Sequence, residues 1–433
     1  MSFELVPFET IFKSPQKNGL NKPKRVRGQG LPMVNMGEIF EHRRIKNIEM
    51  DLVPVIGKEL EYVLEDDDLL FARQSLVLSG AGKCSIFLKN NQPTVFESHL
   101  IRCRLDKNKA DPHFYFYYFQ SKQGRDLIST IVEQGAGASG IRASDLVKLN
   151  VPLCDVRQQE KISSILRALD DKIDLLKDIN KNLESIAQTI FKSWFVNFDP
   201  VRAKQQGVEC AGVDKATADL FPNSFVESEL GLIPKGWTTK QLKDIAVRHV
   251  EKIKNVVDWE NEYLIDLSRI DSKTLFNINN GFGKELTTSV TKFAKGDILF
   301  GAIRPYFHKV TIANLNGVTN ISVFVIRPSV DFYHEYLANL MFNESTVNFS
   351  VRLSKGTKMP VISWSDLSTL KITLAPESII KKYSELISPL MKKGIENSAL
   401  INSLTSIRDT LLPRLISCKL DLSNIEEQIE GVA

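Results

Sequence analysis

Hydrophobic positions recur along this chain at two different spacings. From Arg157 to about Ser193, Ile162, Leu169, Leu176, Leu183 and Ile190 fall seven apart, and Leu166, Ile173, Asn180 and Ala187 fill the other seam position. This is the a/d pattern of a coiled coil, with one polar a residue of the kind that fixes register. A second helical stretch, Ser378 to about Leu412, has Tyr383, Leu390, Leu404 and Leu411 at d and Ile387 and Ile401 at a, interrupted by Gly394, Asn397 and Arg408. Ahead of each stretch the runs are short and β-branched. Ser75–Leu78, Cys84–Leu88, Lys309–Ile312 and Ile321–Ile326, separated by Gly, Asn and Pro turns, predict strands. Pro112–Gln120 and Tyr333–Phe342 predict short aromatic-rich helices in equivalent places.

The equivalence is an internal duplication. Asp68-Leu69-Leu70-Phe71-Ala72-Arg73 returns as Asp297-Ile298-Leu299-Phe300-Gly301-Ala302, with Arg304 just beyond. Ser144-Asp145-Leu146 through Val151 returns as Ser365-Asp366-Leu367 through Ile372, and a long helix follows each. A period of about 220 residues is far too long for a solenoid and fits two copies of a domain-plus-helix unit. Each domain is expected to be a compact α+β body of about 140 residues. Two arrangements suit the helices: each packed on its own domain, or the two paired with each other. The heptad length and duplicated position favour pairing. Helices of about 34 residues are roughly 50 Å long. If antiparallel, they would carry two pseudo-symmetric heads on a stiff rod, a geometry suited to paired half-sites on DNA separated by about one ~34 Å turn.

Composition narrows the class. Of 433 residues, 43% are hydrophobic and 25% charged, which is ordinary for a globular chain. No apolar run nears the ~18 residues a membrane span needs, and the N-terminus has no export signal, so a cytoplasmic location is expected. The five cysteines (Cys84, Cys103, Cys154, Cys210, Cys418) and six histidines are dispersed without metal-ligand spacing, so no metal is expected. The formal charge is only +4, but basic residues cluster between Lys13 and Lys46, and an acidic stretch from Glu59 to Asp68 follows. Such segregation makes one positive face or merely a solvated surface.

No catalytic constellation emerges. Ser79-Gly80-Ala81-Gly82-Lys83-Cys84 fails a phosphate loop at two positions. Gly135–Gly140 is Gly-rich but does not follow a hydrophobic strand, and reads as a flexible turn. No Gly-x-Ser-x-Gly elbow and no Asn/Asp-Pro-Pro-aromatic tetrapeptide is present.

Three segments carry a family resemblance. Phe191-Lys192-Ser193-Trp194-Phe195-Val196-Asn197-Phe198-Asp199-Pro200 resembles the central conserved region of type I restriction–modification specificity subunits. Glu227-Ser228-Glu229-Leu230-Gly231-Leu232-Ile233-Pro234 resembles that family's entry into its second domain, and Arg157-Gln158-Gln159-Glu160-Lys161-Ile162 its coiled-coil opening. In the second helix Glu377-Ser378-Ile379-Ile380 departs from the usual Gln-Gln pair.

The resemblance implies an α+β fold of two pseudo-symmetric α/β target-recognition domains separated by an antiparallel coiled coil. Its segments are a first domain (1–153), a central region with helix (154–200), a linker (201–235), a second domain (236–375), a second helix region (376–420) and a tail (421–433). It implies a non-catalytic subunit that reads a split, asymmetric site on double-stranded DNA. Two methyltransferase subunits and restriction/translocase subunits would be its partners. S-adenosylmethionine, ATP and Mg²⁺ would lie on those partners and no cofactor on this chain. A coiled-coil scaffold with no DNA role and a stand-alone DNA-processing enzyme are the rival classes.

Arginine pairs with guanine edges and Asn or Gln with adenine, whereas lysines mostly position the backbone. Candidate readers in the first domain are therefore Arg73, Gln74 and Ser75, with Lys83 and Arg142. Arg25, Arg27, Arg43 and Arg44 are candidate phosphate contacts. In the second domain the candidates are Arg304, Tyr306, Lys309, Lys355 and Lys358. The aromatics Trp194, Phe195 and Phe198 form either an exposed strip that docks a methyltransferase or a helix-end core.

Overall fold

The computed structural model describes residues 4–135, 137–253, 259–286 and 290–417. Cys418 and the 421–433 tail lie outside them. The chain folds as two compact units, Met1–Asp171 with Thr405–Ala433, and Lys172–Leu404. The boundaries fall within the long helices Val156–Lys192 and Glu377–Ile416, so each unit is one domain built onto a stretch of both helices.

In the first unit a five-stranded sheet runs in the order Phe12–Asn18, Leu100–Leu105, Leu69–Ala72, Cys84–Phe87, Arg44–Ile45. In the second, a four-stranded sheet runs Ala246–His249, Val323–Pro328, Ile298–Gly301, Val310–Ile312. The duplicated motifs occupy the same strand of each sheet, and all four residues of both strands are buried. The motif aspartates explain why. Asp68 accepts the Glu65 backbone N–H (2.8 Å) and two bonds from the Arg104 guanidinium (2.7 Å each). Asp297 accepts the Ala294 N–H (2.8 Å) and two bonds from Arg327 (2.7 Å each). Each carboxylate closes a turn and ties it to the neighbouring strand through a bidentate pair.

Pro112–Gln120 and His334–Phe342 are helices, as expected, and both are almost wholly buried. Asp111 caps the first by accepting from His113 and Phe114 N–H, with Pro112 at the first helical position. The expected strand at Ser75–Leu78 is only Gln74–Ser75. The Ser75 hydroxyl accepts the Val77 N–H, which turns the chain out of the sheet. The Gly-rich segment is organised by a short hairpin, Glu133–Gln134 paired with Ser139–Gly140.

The stretch 201–235, expected as a linker, is folded: two short helices and the hairpin Phe225–Ser228/Gly231–Pro234 bring Phe221 and Ile233 into the second unit's core.

The long helices pair antiparallel in both units. In the first, Ile162 and Leu166 share a core with Leu412, Leu415 and Ile416, and Asp170 meets Arg408. In the second, Ile173 and Leu176 pack with Ile401 and Leu404, and Asn180 meets Asn397. The seam departs from a strict heptad. The buried line is Ile162, Leu166, Asp170, Ile173, Leu176, Asn180, Glu184, Ala187, Phe191, in steps of three and four. It follows the helix's own ~3.6 period, which drifts against a seven-residue repeat. Leu169, Leu183 and Ile190 are therefore only partly buried. In the partner helix Tyr383, Ile387 and Ile401 are buried, while Leu390, Leu404 and Leu411 are partly so, and Met391 and Leu412 take the inner positions. Asn397, Gly394 and Arg408 do not interrupt this seam. They are its contacts.

Candidate nucleic-acid interface

Three lysines of the basic cluster near the N-terminus pair with the acidic stretch that follows it, and Arg27 pairs with an aspartate ahead of that stretch. Lys13 pairs with Glu65, Lys17 with Glu61, Lys22 with Glu59, and Arg27 with Asp51. Arg27 also donates to Asn35 Oδ1 (2.9 Å) and the Lys22 carbonyl (3.1 Å), so its guanidinium braces the loop around it. Arg44 pairs with Asp171 on the long helix. Arg43 lies over the Phe116 ring; burial, and then the Arg408 charge, lower its pKa from the usual arginine value. Arg44 thus attaches the domain to the helix, while Arg43 packs against the domain's own aromatic helix. Of the four expected phosphate contacts, Arg25 is exposed.

Around the first domain's shared strand, Arg73, Gln74 and Arg142 line one groove together with Glu133, Gln134 and Gly140. Arg73 and Gln74 are exposed, and Arg142 is held by Glu133 at 2.8 Å. The strand pairing of Gln74–Ser75 with Ser139–Gly140 brings these distant residues together. Two expected readers turn inward. Ser75 is buried by its turn, and Lys83 donates to the Phe40 carbonyl at 2.6 Å. A residue the sequence reading passed over does the fastening: Arg125 donates to the Ser79 and Gly82 carbonyls and fixes the loop beyond Gln74.

The second domain gathers its own set. The Arg304 backbone N–H donates to Pro360 O (2.7 Å), and its guanidinium reaches Lys358 O (3.4 Å). Lys355 and Val361 exchange backbone bonds, which closes the loop carrying Lys355 and Lys358. Arg304, Tyr306, Lys355 and Lys358 are all exposed. Lys309 is not part of the set, because its ammonium donates to the Leu267 carbonyl at 2.8 Å. Arg304 and His308 both hold positive φ (49° and 50°), so the turn between them is strained.

The aromatics after the first helix take the core setting and not an exposed strip. Trp194, Phe195 and Phe198 are buried. A turn of π-helix at Ser193–Asn197 and a left-handed Phe198 point the rings at Tyr336, Tyr383, Phe221 and Trp237. Among the described residues no group of three or more His, Cys, Asp or Glu is placed to hold a metal ion, and no helix is long and apolar enough to cross a membrane.

Residues 12–185 match the family model described as the type I restriction modification DNA specificity domain. The chain is 25% identical to the HindI specificity subunit of Haemophilus influenzae, over 89% of this chain and 93% of that protein. It is 26% identical to the MjaIX specificity subunit of Methanocaldococcus jannaschii, over 72% of this chain and 70% of the relative.

The chain is similar to type I restriction–modification specificity subunits over most of its length.

The fold agrees. The crystal structure of the type I S subunit from M. genitalium matches with a TM-score of 0.54, 15% identity, and 96% coverage of each chain. The relatives are named as specificity subunits of type I restriction enzymes, and the segment matched by the family model is described as a DNA specificity domain.

Proposed function

We propose that the chain reads a split, asymmetric DNA site, one half with each domain, and that the paired helices set the unread gap. The observation that carries this reading is the duplication itself. One strand and one turn-closing aspartate are kept in both domains, while the exposed residues beyond them differ: Arg73, Gln74 and Arg142 in one, Arg304, Tyr306, Lys355 and Lys358 in the other. A kept frame with changed readers is what two unlike half-sites require. In this reading the chain docks two methyltransferase subunits and restriction/translocase subunits. S-adenosylmethionine, ATP and Mg²⁺ bind those partners.

The test is to map methylated adenines in cells carrying the intact gene, Arg73→Ala, or Arg304→Ala. Each substitution should cost about 1–3 kcal/mol of discrimination at a different half-site. The same loss at both halves overturns separate heads. Inserting seven residues into Val156–Lys192 should lengthen the unread gap or abolish methylation; unchanged spacing with full activity removes the ruler.

A further inference from the structure

Both domains display bulky apolar side chains at the same place. Leu76, Val77 and Leu78 stand eight to ten residues after Asp68, and Tyr306 and Phe307 stand nine and ten after Asp297, behind the buried Pro305. Leu76 is 89% exposed, Tyr306 50% and Phe307 43%. Single exposed apolar residues are commonplace, but a bulky group at one position of both copies is not scatter.

The two tips share no sequence, so what has been kept is the presentation. Each is built at a tight 3₁₀ turn: Leu78–Gly80 directly follows Leu76 and Val77, and Pro305–Phe307 contains Tyr306 and Phe307. Both are rigidly held. Arg125 pins the first through the Ser79 and Gly82 carbonyls, and Gly80 N–H bonds to Val77 O. The second is bracketed by the positive-φ residues Arg304 and His308, and the His308 ring is bonded to Phe342 O at 2.8 Å. Tyr306 and Phe307 pack ring to ring with centroids 4.7 Å apart, forming one blunt edge.

Each tip adjoins the charged readers of its own domain. The first follows directly on Arg73 and Gln74, and the second on Arg304, which reaches the loop of Lys355 and Lys358. A fixed apolar edge set among cations matches a polyanion with an apolar interior, which is a stacked duplex. A preorganised loop also loses little conformational freedom on insertion.

We propose that Leu76–Leu78 and Tyr306–Phe307 are wedges that enter the base stack, unstacking one step at each half-site and kinking the duplex there. This rests on the DNA-reading function above and goes beyond it by adding a distortion step to each reading head. Apolar wedges of this kind bend DNA by roughly 20–90°. They contribute a term that does not depend on counterion release, unlike the arginine and lysine contacts.

The experiment uses the full chain with its methyltransferase partners on a duplex of the mapped site. 2-Aminopurine is placed in turn at positions other than the methylated adenine. The expected result is raised emission at one step in each half-site. Leu76→Ser with Val77→Ser should abolish the first rise, and Tyr306→Ser with Phe307→Ser the second. Each should leave its footprint recoverable at higher protein concentration and the salt slope of binding unchanged.

Footprints at both half-sites with fully stacked emission in the intact complex overturn the wedges and leave the reading function standing. No footprint from the intact complex overturns the reading function and the wedges with it. Loss of both rises in either variant overturns one wedge per domain. A variant that binds DNA normally but no longer holds the methyltransferase makes the tips a protein contact, and also overturns the proposal. Circular-permutation mobility of the same complexes gives the bend independently.

Discussion

The two domains close their sheets in the same way and attach to their helices in different ways. The bidentate pairs Asp68–Arg104 and Asp297–Arg327 are near superimposable in their bonding. At the helix the correspondence breaks. In the first unit the Tyr117 hydroxyl donates to Asp170 (2.8 Å), and Asp170 accepts from Arg408 (2.7 Å), with Arg43 buried beside them. Asn339, Met391 and Ala187 hold the matching positions in the second unit. There Asn339 lies 3.9 Å from the Met391 sulfur and accepts from Gln188 at 2.8 Å. A buried ionic junction in one copy is neutral in the other. The duplicated element is the frame that makes the domain fold, and the junction was free to change because it only has to be satisfied internally.

The largest effect should come from breaking the ionic junction. Arg408→Ala leaves Asp170 buried without its main partner, and the expected loss is about 3–5 kcal/mol, measured by denaturant unfolding. Adding Asp170→Met to it installs the Met–Ala pair that the other unit uses. The double variant should be less destabilised than Arg408→Ala alone, although Tyr117 and Arg43 then lose their anion. If it is worse than the single variant by the sum of the parts, the two junctions are not interchangeable and the comparison fails.

A smaller effect is expected where the second unit's own seam turns polar. Asn397 donates to Asn180 (2.9 Å), and Asn180 donates to Gly394 O (3.1 Å) and Ser398 (3.3 Å). Leu176 and Ile401 hold the positions equivalent to Asn397 and Asn180, and they pack as an apolar pair. Asn180→Leu should cost about 1–3 kcal/mol by stranding Asn397. Asn180→Ile with Asn397→Leu copies the apolar pair and should cost less than the single change. Equal losses would mean that packing, not hydrogen bonding, decides this layer.

Much of this architecture could be read from the chain because it rests on local pattern. Long helices, a repeated strand motif with its aspartate, and buried aromatic helices at a constant offset all leave periodic or repeated residues. What could not be read were contacts between residues far apart in sequence. Gly394, Asn397 and Arg408 looked like interruptions because their partners, Phe276, Asn180 and Asp170, lie more than a hundred residues away. A Cβ at Gly394 would stand 2.5 Å from the Phe276 ring, so glycine there is a packing requirement. The candidate interface divided along the same line. Arg73, Gln74 and Arg304 are exposed, whereas Lys83, Lys309, Arg27 and Arg44 resembled them in sequence and are tied to carbonyls or carboxylates. A lysine's sequence context does not disclose whether its ammonium will find an inward acceptor.

The smallest and most selective test separates the units by pH. Glu184 in the second unit accepts the backbone N–H groups of Leu275 (2.8 Å) and Phe276 (3.0 Å). Burial outweighs those two bonds and pushes its pKa from 4.5 up to about 7. Between these values the folded chain keeps a proton that the unfolded chain has released. This contribution is therefore complete below pH 4.5 and is lost as the pH rises through 7. Asp67 in the first unit has the opposite sign. Burial would raise its pKa, but hydrogen bonds from His113 and Lys107 bring it down from 3.8 to about 2, so its contribution holds above pH 3.8 and is lost towards 2. Glu184→Gln keeps an acceptor for both N–H groups and cannot ionise. It should match the parent near pH 4.5, unfold at higher denaturant than the parent at pH 8, and remove the slope between. Asp67→Asn should leave that window untouched. A parent whose second-unit stability is flat from pH 4.5 to 8 would mean that the carboxylate ionises freely in place, and that the Glu184 junction is as tolerant of charge as the Asp170 junction.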